Sequence, residues 1–228
     1  MRGVFVTGTG TGVGKTLVTA VMARQLRERG VAVRAVKPVI TGFDAAAPSD
    51  LTILLEAQGI QATEHAVAGI APWRFAPPIS PDMAASRAGR RLTVAEMAAF
   101  VRYAARDGST LLVEGIGGVM VPLNDRETVL DWIAAAEMPA VLVAGSYLGT
   151  LSHTLTAISV MAARGIPLRA VIVSESPESP VPLSETCATV ARFAAGAPVV
   201  ALPRLAGGER GWAQAPDLAG FALPPEEA

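Results

Sequence analysis

The chain has 228 residues, 19 basic and 20 acidic side chains and a net charge of −1, enough length for one α/β domain with a buried core and no electrostatic footprint for nucleic acid or an anionic membrane. Hydrophobic residues make up 51% and aromatic residues only 5%, which suits small-residue helices packed on a parallel sheet. The lone Cys187 excludes an internal disulfide, there is no basic and apolar leader, and no run reaches the roughly 18 apolar residues of a membrane span, so a cytoplasmic protein acting on small molecules is expected.

Gly3 to Val6 reads as the first strand, and Gly8-Thr9-Gly10-Thr11-Gly12-Val13-Gly14-Lys15-Thr16 follows it and opens a helical pattern. A strand, a glycine-rich loop and a helix in that order hold the phosphates of a nucleoside triphosphate. The glycines let backbone N–H groups approach the phosphates, Lys15 neutralises β/γ charge, and the Thr16 hydroxyl can ligate Mg2+. The usual G-x-x-x-x-G-K-[ST] spacing needs glycine at position 9; here Thr9 stands there, with Gly8 one residue back. The loop is therefore expected to be longer than the standard form.

Val18, Val21, Met22 and Leu26 continue at helical spacing until Gly30 stops the helix, and Val31 to Val36 reads as the second strand. Lys37-Pro38-Val39-Ile40-Thr41-Gly42 leaves that strand at the edge where the phosphate loop lies. Alone, Lys37 reads first as a solvated strand-end lysine, although Pro38 fixes its exit and weighs against that. A short helix over Asp50 to Ala57 follows, and Asp50 by itself needs no ligand to explain an acid at a helix start. Next come a helix over Thr93 to Arg106 and a strand over Thr110 to Val113, ending in Glu114-Gly115-Ile116-Gly117-Gly118. That places a carboxylate at a strand end, either as a Mg2+ ligand or as a turn cap. The remaining pattern is a strand over Ala140 to Ala144, a helix from Leu151 to Ala162, a strand over Ala170 to Val173, a helix from Leu183 to Ala194 and a strand over Val199 to Leu202.

Such alternation predicts a mainly parallel sheet with helices on both faces, a three-layer α/β fold whose ligands sit at the carboxyl ends of the strands. One domain over 1–228 is expected, with a glycine- and proline-rich tail over 206–228 of partly disordered composition. Long connections over 38–49, 71–81 and 115–131 are where substrate residues are sought. Ser146 to His153 joins a strand to a helix, and amides near Gly149 to Ser152 can receive an anion. His65 and His153 form no ligand cluster, and Cys187 has no activating base.

The GTGTGVGKT loop, the KPVITG segment, Ser49-Asp50, the VEGIGG turn and the LGTLSHT helix start, in that order and over nearly the whole chain, resemble the dethiobiotin synthetase family. The resemblance implies a P-loop NTPase fold related to the nitrogenase iron protein and the ParA/MinD ATPases, and a homodimer. It implies an ATP- and Mg2+-dependent ligase of biotin synthesis that closes a cyclic urea from 7,8-diaminononanoate and CO2. By the same resemblance Lys15 and Lys37 are catalytic, and Thr16, Asp50 and Glu114 hold Mg2+. Gly12, Val13, Gly14, Lys15, Thr16, Leu17, Glu114, Gly117, Ser174, Pro203, Arg204 and Leu205 line the nucleotide. Thr11, Lys37, Thr41, Gly118, Gly149, Thr150, Leu151 and Ser152 meet the diamine, the last four receiving its carboxylate across the dimer interface.

Two departures stand out. Gly10 and Gly12 replace loop carboxylates found in many relatives, and Ser174-Glu175 stands where an adenine-reading asparagine is frequent. A serine hydroxyl cannot make the paired amide contacts to adenine, so weak discrimination among nucleoside triphosphates is expected. A ParA/MinD-like switch ATPase is the competing class, but it carries a signature lysine at what is Gly10 here. A cobyrinate-type amidotransferase would need a glutaminase domain for which 228 residues leave no room.

Overall fold

A computed structural model describes residues 1–224. In chain order the elements are β1 (Gly3–Gly8), α1 (Lys15–Glu28), β2 (Val33–Val36), β3 (Val39–Thr41), α2 (Asp50–Ala57), α3 (Glu64–Ile70), β4 (Trp73–Phe75) and α4 (Pro81–Arg87). They continue with α5 (Val94–Ala104), β5 (Thr110–Glu114), α6 (Val129–Ala136), β6 (Ala140–Ala144), α7 (Thr150–Ala163), β7 (Leu168–Ser174), α8 (Leu183–Ala191) and β8 (Val199–Leu202).

Six strands form one sheet in the order β2-β5-β1-β6-β7-β8, every pair parallel. All six residues of β1 and all five of β5 and β6 are buried, the uninterrupted apolar run that a strand covered on both faces requires. Phe5 of β1 meets Trp132 of α6 edge to face at a centroid distance of 4.7 Å. The expected three-layer sheet is thus the observed one, and all six expected strands belong to it. The second begins at Val33, because Gly30 is left-handed (φ 72°) and the Val31 N–H turns back to Leu26 O at 3.0 Å to close α1.

The sequence pattern passes over α3, α4, α6 and the strands β3 and β4. The last two pair in parallel as a small sheet of their own, inside the segments 38–49 and 71–81 read as loops. Three-residue strands and helices of seven or eight residues carry few positions for a period to show. The expected helix over 93–106 ends its α-helical part at Ala104 and runs into a 3-10 turn, Ala105–Asp107.

The segment after β8 is built into the fold as far as residue 224. It makes 3-10 turns at Gly208–Arg210, Trp212–Gln214 and Ala219–Ala222, and Leu218, Ala219 and Ala222 are buried. The Gln25 amide of α1 accepts from Leu218 N at 2.8 Å and donates to Pro216 O at 2.9 Å. The tail expected over 206–228 therefore lies on α1 through 206–224, and its last four positions lie outside the described residues.

Candidate active site

The carboxyl ends of β1, β2 and β5 converge where the strand order turns, and each delivers one part of the site. β1 feeds the loop into α1, where Gly12 and Gly14 take left-handed backbones (φ 73° and 95°). Only glycine adopts these without strain. The loop is pinned from the β5 side: Val119 N donates to Gly8 O at 3.0 Å, and Thr9 bridges Gly118. A Cβ on Gly118 would stand 2.9 Å from Thr9 O, so this approach excludes any side chain there.

Around this loop four side chains meet. The Thr16 hydroxyl donates to Glu114 Oε1 at 2.8 Å. Lys37 Nζ donates to the same oxygen at 2.6 Å, to Asp50 Oδ2, and to Thr16 Oγ1 at 3.4 Å. Lys15 Nζ folds back on Gly10 O at 2.6 Å. Glu114 is fully buried and its second oxygen, Oε2, has no hydrogen-bond partner. An orphaned buried carboxylate oxygen is costly and calls for a cation or donor.

Burial and charge act in opposite senses on these groups. Burial lowers the Lys15 ammonium to about 8; Glu114 opposes this, while Lys37 adds to it. Burial also pulls on Lys37, but the Glu114 and Asp50 carboxylates outweigh it and hold its ammonium above the ordinary lysine value. Burial pushes the Asp50 carboxyl up, yet the Lys37 charge and hydrogen bond bring it below the ordinary carboxylate value.

These groups line a cleft of about 330 Å3 together with Thr11, Gly12, Gly14, Thr41, Ile40, Ile116 and Gly117. A second cavity, of about 250 Å3, opens on the other side of Gly12 to Gly14, between Leu17, Ser174 to Pro177 and Pro203 to Leu205. A third, lined mainly by apolar surface, runs from Thr9, Gly10, Thr11 and Gly118 past Met120 to His153, Ala157 and Val160 of α7. The three adjoin at the loop, since Thr11 lines the first and third and Gly12 the first and second.

The expected residues fall out as follows. Thr16, Lys37, Asp50 and Glu114 are joined by hydrogen bonds, while Lys15, Thr11, Thr41 and Gly117 share their cleft. Val13, Leu17, Ser174, Pro203, Arg204 and Leu205 share the second cavity. Gly149, Thr150, Leu151 and Ser152 line none of the three. They stand at the start of α7, where the Thr150 N–H is already bound to Tyr147 O at 3.1 Å and its hydroxyl to Gly145 O at 2.6 Å. Motif reading missed Ile40, Ile116, Ser176 and Pro177, each within two positions of a residue it named. Their nearness to motif positions was the available signal.

A protein-family model described as an AAA domain matches residues 2–206. The ATP-dependent dethiobiotin synthetase BioD of Methylobacterium nodulans is 45% identical over 202 residues, covering 85% of this chain and 90% of that protein. That of Acidiphilium cryptum is 47% identical over 198 residues, covering 85% and 89%. Among solved structures, a ParA family ATPase from Chlorobium tepidum superposes with a TM-score of 0.55 at 12% identity over 94% of this chain and 90% of its own. The signal recognition particle receptor FtsY of Elizabethkingia anophelis superposes with a TM-score of 0.52 at 15% identity over 96% of this chain, which spans 63% of that receptor. At those identities the likeness is one of fold.

Proposed function

The chain belongs to the ATP-dependent dethiobiotin synthetases, which are ATP-dependent ligases, and from that premise we propose how its site closes a cyclic urea from 7,8-diaminononanoate and CO2. The observation that carries the reading is the meeting of Lys37, Thr16, Asp50 and Glu114 beside the loop, with Glu114 Oε2 unpartnered.

One amine of the diamine adds to CO2 and loses a proton, giving a carbamate. A carbamate oxygen attacks the γ-phosphorus and the nucleoside diphosphate leaves. The second amine then attacks the carbonyl carbon of the mixed anhydride, phosphate departs, and the ring is closed. Lys15 and Lys37 balance the negative charge shared by carbamate and transferring phosphoryl, which is catalysis by positioning and electrostatics. The amides of Gly12 to Thr16 cradle the phosphates. Thr11, Thr41 and Gly118 adjoin the diamine, and the apolar third cavity accepts its methylene chain.

The donors Thr16, Asp50 and Glu114 are all oxygens, two of them carboxylate, and the orphaned Glu114 Oε2 gives a hard divalent cation a place to bind. Mg2+ held there would neutralise charge on the β- and γ-phosphates.

The second cavity is read as the base site, with Ser174 in place of an amide, and discrimination among bases is expected to be weak. A preference for ATP over CTP and GTP above about a hundredfold in kcat/KM would overturn that. The protein is further read as a cytoplasmic homodimer. Support comes from the exposed Met120, Leu148 and Leu151 around the third cavity and the α7 start, where the Gly149 to Ser152 segment would serve the partner's substrate carboxylate. Among the described residues no helix is long and apolar enough to cross a membrane.

The test supplies 7,8-diaminononanoate, radiolabelled bicarbonate, Mg2+ and triphosphate. Acid-stable label that needs every component is the expected outcome; its absence with the native chain would defeat the reaction assigned here.

A further inference from the structure

Three consecutive polar residues, Ser174, Glu175 and Ser176, leave β7 and line the second cavity, where the Ser174 hydroxyl faces the phosphate loop and the Ser176 hydroxyl is bound on the β6 side. Ser174 Oγ is seated over the phosphate loop, 2.8 Å from where a Cβ on Gly14 would stand. Ser176 Oγ accepts the Ser146 N–H at 3.0 Å and lies 2.8 Å from a Cβ position on Gly145, on the β6 side. Ser146 Oγ returns the contact by accepting from Ser176 N at 2.9 Å. The intervening Glu175 is tied to β8 instead: its N–H donates to Leu202 O at 2.9 Å, and its Oε2 accepts the Arg204 N–H, also at 2.9 Å. The half-buried carboxylate is thus held in place by one oxygen and keeps free lone pairs at the cavity wall.

A carboxylate accepts hydrogen bonds and donates none. Resting on the reading that this cavity takes the nucleotide base, we propose that Glu175 selects bases carrying an exocyclic amine and rejects those with a carbonyl in its place. The amine of adenine or cytosine donates to the free oxygen. The corresponding oxygen of hypoxanthine or uracil faces it acceptor to acceptor, leaving both groups unpaired. The exposed Arg204 guanidinium, which also lines the cavity, is donor-only and would select the opposite set. The sign of the preference therefore separates the two side chains.

The experiment measures the affinity of the Mg2+ complexes of ATP against ITP and of CTP against UTP without diamine; within each pair the amine becomes a carbonyl and the neighbouring ring nitrogen changes from acceptor to N–H donor. Inorganic tripolyphosphate serves as a base-free reference. The native protein is expected to favour the amine of each pair by at least about tenfold, and Glu175→Gln, whose amide both accepts and donates, to bring each ratio to within about threefold. Equal binding within either pair by the native protein, the opposite preference, or a ratio that survives in Glu175→Gln would each overturn the role of Glu175. Should the Gln variant melt at a lower temperature than the native chain, Glu175→Ala is substituted for it, with the same loss of preference expected. Tripolyphosphate binding as tightly as every nucleotide would instead remove the base-site reading, a distinguishable failure.

Discussion

Lys37 shows how a residue's meaning depends on what surrounds it. As the last position before Pro38 it had two readings in the sequence. In the fold its ammonium is buried, within hydrogen-bonding distance of two carboxylates and the Thr16 hydroxyl. Solvation does not explain a lysine in that setting. Lys37→Ala is expected to lower turnover at least about a hundredfold; a near-native rate would return the residue to a structural role. Lys15 supports a second prediction. Its ammonium titrates at about 8, so near that pH roughly half of the molecules lack the proton, and a bound polyphosphate raises its affinity for it. Nucleotide binding at pH 8 should therefore take up a proton from buffer, seen calorimetrically in buffers of different ionisation enthalpy. Lys15→Met should abolish that uptake, and an unchanged uptake would contradict the assignment. The identities of Lys15, Thr16 and Glu114 were legible in their motifs. The oxygen that Thr16 and Lys37 share, Glu114 Oε1, was not, because Glu114 lies 98 and 77 positions from them in the chain.

Elements explain how Lys37 reaches this place. β2 is an edge strand, and an edge leaves backbone groups unpaired. Here the Gln58 amide, just beyond α2, fills the vacancy: its Oε1 accepts Ala35 N at 2.8 Å and its Nε2 donates to Ala35 O at 3.1 Å. The opposite end of α2 carries Asp50, which pairs with Lys37. One short helix thus grips both the strand and the lysine that ends it. Gln58→Leu should cost about 1–3 kcal/mol, because it orphans two groups of the fully buried Ala35. Its signature is faster hydrogen exchange at the Ala35 amide, and unchanged exchange with an unchanged melting temperature would refute it. Nothing at Gln58 marks this in the sequence, where glutamine after a helix is unremarkable. Hydrophobic periodicity reports which side of an element is buried, not which neighbour it meets.

Over the whole molecule the segment after β8 links remote parts. Leu205 and Gly208 line the second cavity, while ten residues later Leu218 and Ala219 are buried, their N–H groups held by Gln25 on α1. Arg210 pairs with Glu56 at 2.8 Å, Arg29 with Asp217 at 2.6 Å, and the Arg24 guanidinium lies 5.8 Å from the Trp212 ring centroid. These exposed ion pairs contribute little individually. The Gln25 contacts are the sheltered ones, so Gln25→Ala should loosen the segment, increase proteolysis within 206–223 and raise KM for the triphosphate. Faster cleavage without a change in KM would show that the segment does not support the cavity. The proposed homodimer is tested at this scale by sedimentation: Leu148→Asp, placing a charge at an 86% exposed leucine, should shift the protein toward monomer, and a native chain that sediments as a monomer would overturn the proposal.

Local physics placed much of this protein within reach of its sequence. Glycine spacing around Lys15, apolar runs in strands covered on both faces and helix stops at glycine act within a few residues, and they determined the alternating α/β order and the triphosphate loop. What only tertiary structure decided is whatever depends on strand order. With β5 and β6 flanking β1 and β2 outside β5, Lys37, Glu114 and Thr16 meet around one buried oxygen. With β8 beside β7, the Arg204 N–H is brought to Glu175. Strand order arises from packing the whole chain around one core, a long-range outcome that no short window of residues contains.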